Sequence, residues 1–422
     1  MLRRLGLRLA VSLVATRCTA QQLTSGQGVT LPSNDAFYLV PDALDQVKPG
    51  TILRHRAPPQ PIVACGPVAA CGETPLDLEA SHQILYRTTD SNGNATATVL
   101  TVLVPRHADM AKVVSYQVAE NSANIDCAPS YVSLLGHQGG RPVVDLQTAQ
   151  TVLDKGFVVI LPDFLGPNGA FLANRLAGQA TLDGVRAAIN SAPFTGISQK
   201  PAVTLWGYSG GSHPTLWAAE LQPAYAPELA IAGAAVGGLV PNIPTSIAKI
   251  NGQPSAGLIA TALVGLMKQY QELGGIVAQH VLPGYRDKLS YPRHHCAEVT
   301  LAEFHNQDIL AMFDDRNFLL TNPTVTDIFA RNQVGKQTPR IPLLVYCAID
   351  DIFTPIGVTD SLLDGYCAAG ANAEYHRVEA VGHSDLALVG APKALAWLAD
   401  RMNGTKSQAG CQRNTVQWPR AN

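Results

Sequence analysis

Residues 203–211 read VTLWGYSGG, a short apolar run that ends in a G-x-S-x-G motif. Residues 212–221 follow with the composition of a helix, so the sequence predicts a strand, a sharp turn and a helix with Ser209 at the apex. A serine hydroxyl becomes a nucleophile when it is exposed, oriented and deprotonated by a neighbouring base. In this context the motif indicates that Ser209 is a nucleophile, whereas the alternative is a glycine-rich surface turn.

Three glycines surround the serine, and each suits such a turn. Gly207 and Gly211 would let the strand and the helix approach closely around a strained Ser209. The backbone N–H of Gly210 would point at a substrate oxygen near the positive end of the helix. The sequence therefore predicts Gly210 as one donor of an oxyanion hole.

Composition limits the class of protein. The chain has 422 residues, a formal net charge of -2 and only 15% charged residues, with 36 Gly and 29 Pro. This charge gives no electrostatic case for nucleic acid as a partner. The totals indicate a folded, loop-rich α/β protein rather than a disordered or coiled-coil one.

The N-terminus has the features of an export signal. Residues 1–20 contain a basic start, a short apolar run and small residues before Gln21, which predicts a signal peptide cleaved after Ala20 and a secreted protein. The alternative is a short membrane anchor, which the length of the run and the charge of Arg8 disfavour.

Seven cysteines remain after such a cleavage, so at least one thiol stays unpaired. Cys347 lies in an apolar strand-like run and is the candidate for a buried free thiol, while Cys65 and Cys71 are placed to clip a loop. The sequons at Asn94 and Asn403 fit a secreted surface. No repeated close Cys/His pairs of the kind typical of zinc are present, so a zinc site is not expected.

Strands and helices alternate through the first half of the chain. A hairpin is predicted over residues 83–104, and strands and helices follow at 113–118, 143–155, 157–161, 176–189 and 203–208. Two of these strands are apolar on both faces, as in a mainly parallel sheet covered by helices on both sides. The pattern predicts an α/β-hydrolase fold.

The alternation stops after residue 240. Residues 258–273 carry one apolar stripe at helical spacing, and further helices are predicted at 300–313 and 326–333. We therefore expect core segments at 21–240 and 339–422 and a helical cap at 241–338. A cap after the nucleophile strand lies where a lid over an acyl pocket would sit, although plain core packing would give the same stripes.

The base and the acid should follow late strands, in the chain order Ser, Asp or Glu, His. His383 follows the last predicted core strand in a Val-Gly-His turn, so it is the predicted base. Asp350 is chosen as the acid because it ends the predicted strand at 341–350, with Asp351 as the alternative. His213 is assigned a structural or pocket-lining role, and Asp163 a turn or cap role.

A second oxyanion donor is expected in the loop after an early strand. That loop is residues 118–122, and the HGGG pattern of many esterases is absent from it. Asn121 is the predicted donor, together with Gly210.

At this point the chain resembles the secretory lipase family of α/β-hydrolases. The resemblance rests on short motifs spread over the chain from about residue 40 onward, namely GYSGG at 207–211, DCAPSY at 126–131, PDFLG at 162–166, AIDDI at 348–352 and GH at 382–383. It implies hydrolysis of acyl esters, a helical lid and no cofactor. By the same analogy Ser209, Asp350 and His383 would form a catalytic triad.

The resemblance also has consequences for three smaller features. The position of Asn121 is an aspartate in the typical family member, so the backbone donor would survive while its side-chain contacts would differ. The implied disulfides are Cys127–Cys296 and one that closes onto Cys411, with Cys367 as its partner.

These features predict a secreted serine ester hydrolase, a lipase or carboxylesterase acting through an acyl-enzyme on Ser209. Its expected partners are an acyl ester, either a glyceride or a small acylated metabolite, and a lipid interface. The alternatives are a deacylase or acyltransferase of a secondary metabolite and a non-catalytic binding protein on the same scaffold.

Overall fold

A ten-stranded sheet forms the centre of the computed structural model, which describes residues 28–63, 74–137 and 143–418. The expected signal peptide and the expected Cys65–Cys71 clip lie outside the described residues. The strands, in chain order, are β1 (Ile52–Arg56), β2 (Leu78–Thr89), β3 (Ala95–Pro105), β4 (Asp109–Gln117), β5 (Phe157–Pro162), β6 (Ala202–Tyr208), β7 (Ile231–Gly237), β8 (Leu343–Ala348), β9 (Ala373–Glu379) and β10 (Cys411–Gln417).

The sheet is antiparallel at one end and parallel over the rest. Its order is β1-β2-β3-β5-β4-β6-β7-β8-β9-β10, and every pair from β5 to β10 is parallel. The predicted β2–β3 hairpin is present, and its turn is fixed by Asp90, whose Oδ1 accepts from the backbone N–H groups of Asn92 and Asn94 at 2.8 Å each. Strand β6 therefore lies between β4 and β7, well inside the sheet.

Helices cover both faces of this sheet. They are α1 (Pro129–Val132), α2 (Val143–Leu153), α3 (Asn174–Asn190), α4 (Ala192–Thr195), α5 (Ser212–Tyr225), α6 (Ile243–Ile250), α7 (Gly257–Gln269), α8 (Gln271–His280), α9 (Arg286–Ser290), α10 (Ala297–Glu303), α11 (Phe318–Thr321), α12 (Pro323–Asn332), α13 (Ile356–Ala368) and α14 (His383–Met402). Helices α3, α5 and α13 pack on one face, and α2 and α14 on the other. The predicted fold class is confirmed.

The helices from α6 to α12 follow β7 and precede β8 in the chain. They pack around a hydrophobic core of their own. The apolar stripe at 258–273 forms two helices rather than one, because the chain turns at Tyr270, which has an extended backbone (φ -118°, ψ 94°). The helix predicted over 300–313 is present only in its first part, because α10 ends at Glu303. Asn306, three residues later, has a left-handed backbone (φ 57°) that a continuing helix could not contain. The segment boundaries at 240 and 338 stay a prediction.

Two strands near the ends of the chain, β1 and β10, were not predicted from the sequence. Both are edge strands rich in polar residues, so they lack an apolar pattern. Helix α14 begins at the predicted base His383 itself. Within the described ranges, every helix is too short or too polar to cross a lipid bilayer.

Two disulfides and one free thiol account for the cysteines in the described part of the chain. Cys127 pairs with Cys296, joining the loop before α1 to the start of α10, and Cys367 pairs with Cys411, joining α13 to β10. Both pairings implied by the family resemblance are confirmed. Cys347 is a buried free thiol, as predicted.

The first disulfide should stabilise the fold more than the second. It closes a separation of 169 residues, against 44 for Cys367–Cys411. Replacing both members of the Cys127–Cys296 pair by alanine should lower the free energy of unfolding by about 2–5 kcal/mol, and by about 1 kcal/mol more than the same change in the other pair. Guanidinium unfolding of both double variants measures this difference, and a larger loss in the Cys367–Cys411 variant would contradict it.

Candidate active site

Ser209 occupies a sharp turn between β6 and α5. Its backbone is left-handed (φ 52°), which is rare for a residue with a side chain, and the helix begins three residues later at Ser212. The hydroxyl of Ser212 donates to the carbonyl oxygen of Ser209 at 2.5 Å and fixes the turn. The predicted strand, turn and helix with the serine at its apex are therefore present.

The glycines around the turn are required by close contacts. A Cβ at Gly207 would lie 2.0 Å from the carbonyl oxygen of Gly211, and a Cβ at Gly211 would lie 1.9 Å from the carbonyl oxygen of Gln117. A Cβ at Gly210 would lie 2.0 Å from Oδ1 of Asn121. Strand, helix and the loop after β4 thus converge on Ser209, and backbone atoms leave no room for a side chain at Gly207 or Gly211.

His383 joins the serine to a carboxylate. Its Nε2 lies 2.8 Å from Oγ of Ser209, and its Nδ1 lies 2.6 Å from Oδ2 of Asp351. A carboxylate can only accept hydrogen bonds, so Nδ1 carries the proton and Nε2 is left to accept from the serine hydroxyl. The arrangement is a serine with its base already in hydrogen-bond contact and the base already oriented.

The imidazole is held from several sides. His383 is 5% exposed and is the first residue of α14. The hydroxyl of Tyr208 donates to its carbonyl oxygen at 2.6 Å, and the ring of Phe353 packs edge-on at 4.5 Å between centroids. Tyr208 and Phe353 were not assigned a role from the sequence. Tyr208 lies inside the G-x-S-x-G motif, and Phe353 lies two residues after Asp351, which were the available signals.

The choice of Asp350 as the acid is wrong, and the alternative Asp351 occupies the position. Strand β8 ends at Ala348, two residues before the predicted end, and a turn carries the chain past Asp350. Asp350 is exposed, whereas Asp351 is 3% exposed and its Oδ1 accepts from the backbone N–H of Phe353 at 2.8 Å. The one-residue error follows from the early end of the strand.

Asn121 lies beside the serine, as predicted. Its backbone is left-handed (φ 47°), and its side chain contacts the backbone at Gly210. Asn121, Gly210 and Ser209 line one cavity together. The structure thus brings the two predicted oxyanion donors to the same side of the serine.

This cavity, called the front cavity below, is lined mainly by apolar side chains and has a volume of about 80 Å³. Its wall combines the oxyanion residues with the β5–α3 loop and the helices α6 and α7; the apolar members are Phe171, Leu172, Val240, Ile243, Ile247, Ile250, Leu258, Ile259, Ala262 and Phe353. An apolar cavity beside a nucleophile suits the hydrocarbon part of a substrate.

His213 also lines the front cavity and is not a second base. Its Nδ1 accepts from Nδ2 of Asn174 at 3.1 Å, and burial lowers the pKa of His213 to about 4. The imidazole is therefore neutral and fully engaged, which agrees with the pocket-lining role predicted for it.

Asp163 serves the core rather than the serine. It is 1% exposed, and its carboxyl accepts from the backbone N–H of Ser130 at 2.9 Å and from the hydroxyl of Ser130 at 2.5 Å. Burial raises the pKa of Asp163 to about 7.

Among the described side chains, no group of three His, Cys, Asp or Glu is placed to hold a metal ion.

Residues 142–410 match the secretory lipase family. The chain belongs to this family. It is 40% identical over 393 residues to Lipase A of Arthroderma benhamiae, covering 91% of this chain and 82% of that protein. It is 36% identical over 398 residues to Lipase 4 of Candida albicans, covering 91% and 84%.

The solved structures agree. The closed state of Candida antarctica lipase A superposes with a TM-score of 0.80 at 26% identity, covering 91% of this chain and 89% of that one. A ligand-bound rice cell wall degrading esterase LipA from Xanthomonas oryzae has a TM-score of 0.64 at 14% identity, with 85% and 100% covered, and shares the fold. The chain is therefore a carboxylic-ester hydrolase of the lipase and esterase type.

The two adjacent aspartates give a matched test of the site. Asp351→Asn should lower kcat for ester hydrolysis by about 10⁴-fold, because the amide can no longer fix the imidazole tautomer. Asp350→Asn, which alters an exposed carboxyl one residue away, should leave kcat within about twofold of the wild type. The rates of p-nitrophenyl butyrate hydrolysis by both variants measure this. Equal losses, or a larger loss in Asp350→Asn, would contradict the geometry.

Proposed function

We propose that the chain is a secreted lipase in which Ser209 is the nucleophile, His383 the general acid and base, and Asp351 the orienting acid. The single observation that carries the proposal is the unbroken hydrogen-bond chain from Oγ of Ser209 through both nitrogens of His383 to Asp351. Such a chain supplies activation and orientation of the nucleophile at once.

The acylation step follows from these contacts. Oγ of Ser209 attacks the ester carbonyl carbon while its proton moves to Nε2 of His383. The imidazolium that forms lies against the Asp351 carboxylate at 2.6 Å, in a site where both side chains are almost fully buried. When the tetrahedral intermediate collapses, the same Nε2 gives the proton to the leaving alcohol, and the acyl group remains on Ser209.

The oxyanion of this intermediate is assigned to the backbone N–H groups of Gly210 and Asn121. Gly210 follows the nucleophile directly, as in other nucleophile elbows. The Asn121 side chain lies next to the backbone at Gly210, so the loop after β4 passes beside the elbow, which supports Asn121 as the second donor. Donors fixed by backbone geometry need no rearrangement when charge develops on the substrate oxygen.

The substrate is assigned as a lipid ester of the glyceride class. The apolar front cavity begins at Ser209 and extends between α6 and α7, so these two helices would cover an acyl chain bound there. The two disulfides suit the oxidising compartments of the secretory route.

Acyl-chain preference tests the assignment of the front cavity. Ala262 lines it and is 4% exposed, so Ala262→Leu should shorten the space available to the acyl chain. Across a p-nitrophenyl series from acetate to palmitate, kcat/KM for the long esters should fall by about tenfold while that for acetate stays near the wild-type value. Ala330→Leu, the same change on the exposed side of α12, is the matched control.

Ser209→Ala should abolish hydrolysis of the whole series, since no acyl-enzyme can form. A wild type confined to acetate and butyrate would replace the glyceride assignment with a deacylase of small metabolites. Equal losses for all chain lengths in Ala262→Leu would contradict the acyl role of the front cavity.

A further inference from the structure

A second cavity of about 170 Å³ reaches Ser209 and is called the rear cavity. Its wall comes from the ends of the central strands and from α2 and α14, and its members are Tyr116, Ala119, Asp145, Thr148, Trp206, Tyr208, Ser209, Tyr346, His383, Ser384 and Ala387. Ser384 is exposed, so the cavity reaches the protein surface at the start of α14.

The two cavities share Ser209 and no other residue. The front cavity contains Gly210 and Asn121 but not His383, whereas the rear cavity contains His383 but neither oxyanion residue. The site is therefore divided at the serine. One side carries the oxyanion residues and apolar walls, and the other carries the base.

The rear cavity carries several polar groups in a wall whose surface is otherwise mainly aromatic and apolar. Oδ1 of Asp145 accepts from the hydroxyl of Tyr116 at 3.0 Å and from the backbone N–H of Ala119 at 2.9 Å. Tyr346 and Ser384 belong to the same wall. Burial raises the pKa of Asp145 to about 6. Side chains with polar atoms make up a larger share of this wall than of the front-cavity wall, so the rear cavity offers more hydrogen-bond partners to water.

Hydrolysis needs water at one particular place. Once Ser209 is acylated, the acyl chain fills the front cavity and the carbonyl oxygen points to Gly210 and Asn121. The attacking water must then lie beside Nε2 of His383, which takes its proton. The rear cavity meets both conditions, because its wall includes Ser209 and His383 and shares no residue except Ser209 with the front cavity.

We infer that the rear cavity is the binding and entry site of the water that deacylates the enzyme. This inference rests on the proposed function of Ser209 and His383. The lipid ester would enter over the apolar front cavity, and the water would arrive from the start of α14. Water supply would then not compete with the acyl chain for the same opening.

The step balances without a further reactant. The oxygen of a water held in the rear cavity forms a bond to the acyl carbonyl carbon while its proton moves to Nε2 of His383. The tetrahedral intermediate collapses with cleavage of the bond from that carbon to Oγ of Ser209. His383 returns the proton to Oγ, and the free acid leaves.

Filling the rear cavity should slow deacylation selectively. Ala387 is 7% exposed in its wall, so Ala387→Leu places three extra carbons there. Thr148→Leu reduces the same cavity from the opposing helix α2 and provides an independent variant. Ala396→Leu makes the same change as the first variant on an exposed position of α14 and is the matched control.

Two readouts separate the two steps with p-nitrophenyl butyrate as the probe. Release of p-nitrophenol by excess enzyme gives the acylation rate constant, and the decay of the butyryl-enzyme mass gives the deacylation rate constant. In Ala387→Leu and Thr148→Leu we expect deacylation to slow by about tenfold and acylation to stay within about twofold, with the control unchanged. Thermal unfolding shows whether each variant is folded.

The outcomes are distinguishable. Equal slowing of both steps in a folded variant would place the effect on His383 itself and overturn the inference, as would unchanged deacylation in either folded variant. A wild type that forms no butyryl adduct on Ser209 would overturn the proposed function, and the inference with it.

Discussion

The left-handed backbone at Ser209 is the constraint on which the site depends. A side chain at φ 52° is held at the edge of the sheet because β6 and α5 approach so closely that Gly207 and Gly211 admit no Cβ. This approach also brings the loop after β4 against Gly210. Backbone packing thus positions Ser209, the proposed nucleophile, and the proposed oxyanion donors Gly210 and Asn121.

The proposed base and acid come from segments that follow the later strands β8 and β9. His383 begins α14 and Asp351 follows β8, so two later crossovers deliver them to the edge where β6 ends. The disulfide from Cys127 to Cys296 joins the start of α10, one of the helices α6 to α12, to the loop that precedes α1. The sheet therefore positions the proposed catalytic residues, while the helices α6 and α7 line the front cavity.

The sequence predicted those site residues whose position depends on the strand and turn around them. Ser209 and His383 follow strands with a clear apolar pattern and lie in short glycine turns, so their places could be predicted. The acid was missed by one residue because Ile349 continues the apolar pattern into the turn that carries Asp350, and pattern alone does not locate the last hydrogen-bonded residue of a strand. Strand β10 was missed because its pairing with β9 depends on distant contacts and the Cys367–Cys411 bridge rather than on its own polar sequence.

The hydrogen bond between His383 and Asp351 is the contact that the whole account requires, and proton NMR observes it directly. In wild-type protein the Nδ1 proton of His383 should give a strongly downfield resonance, because it is buried and bonded to a carboxylate at 2.6 Å. The account predicts that this resonance disappears in Asp351→Ala and persists in Asp350→Ala. Its persistence in Asp351→Ala would contradict the assignment of Asp351 as the acid.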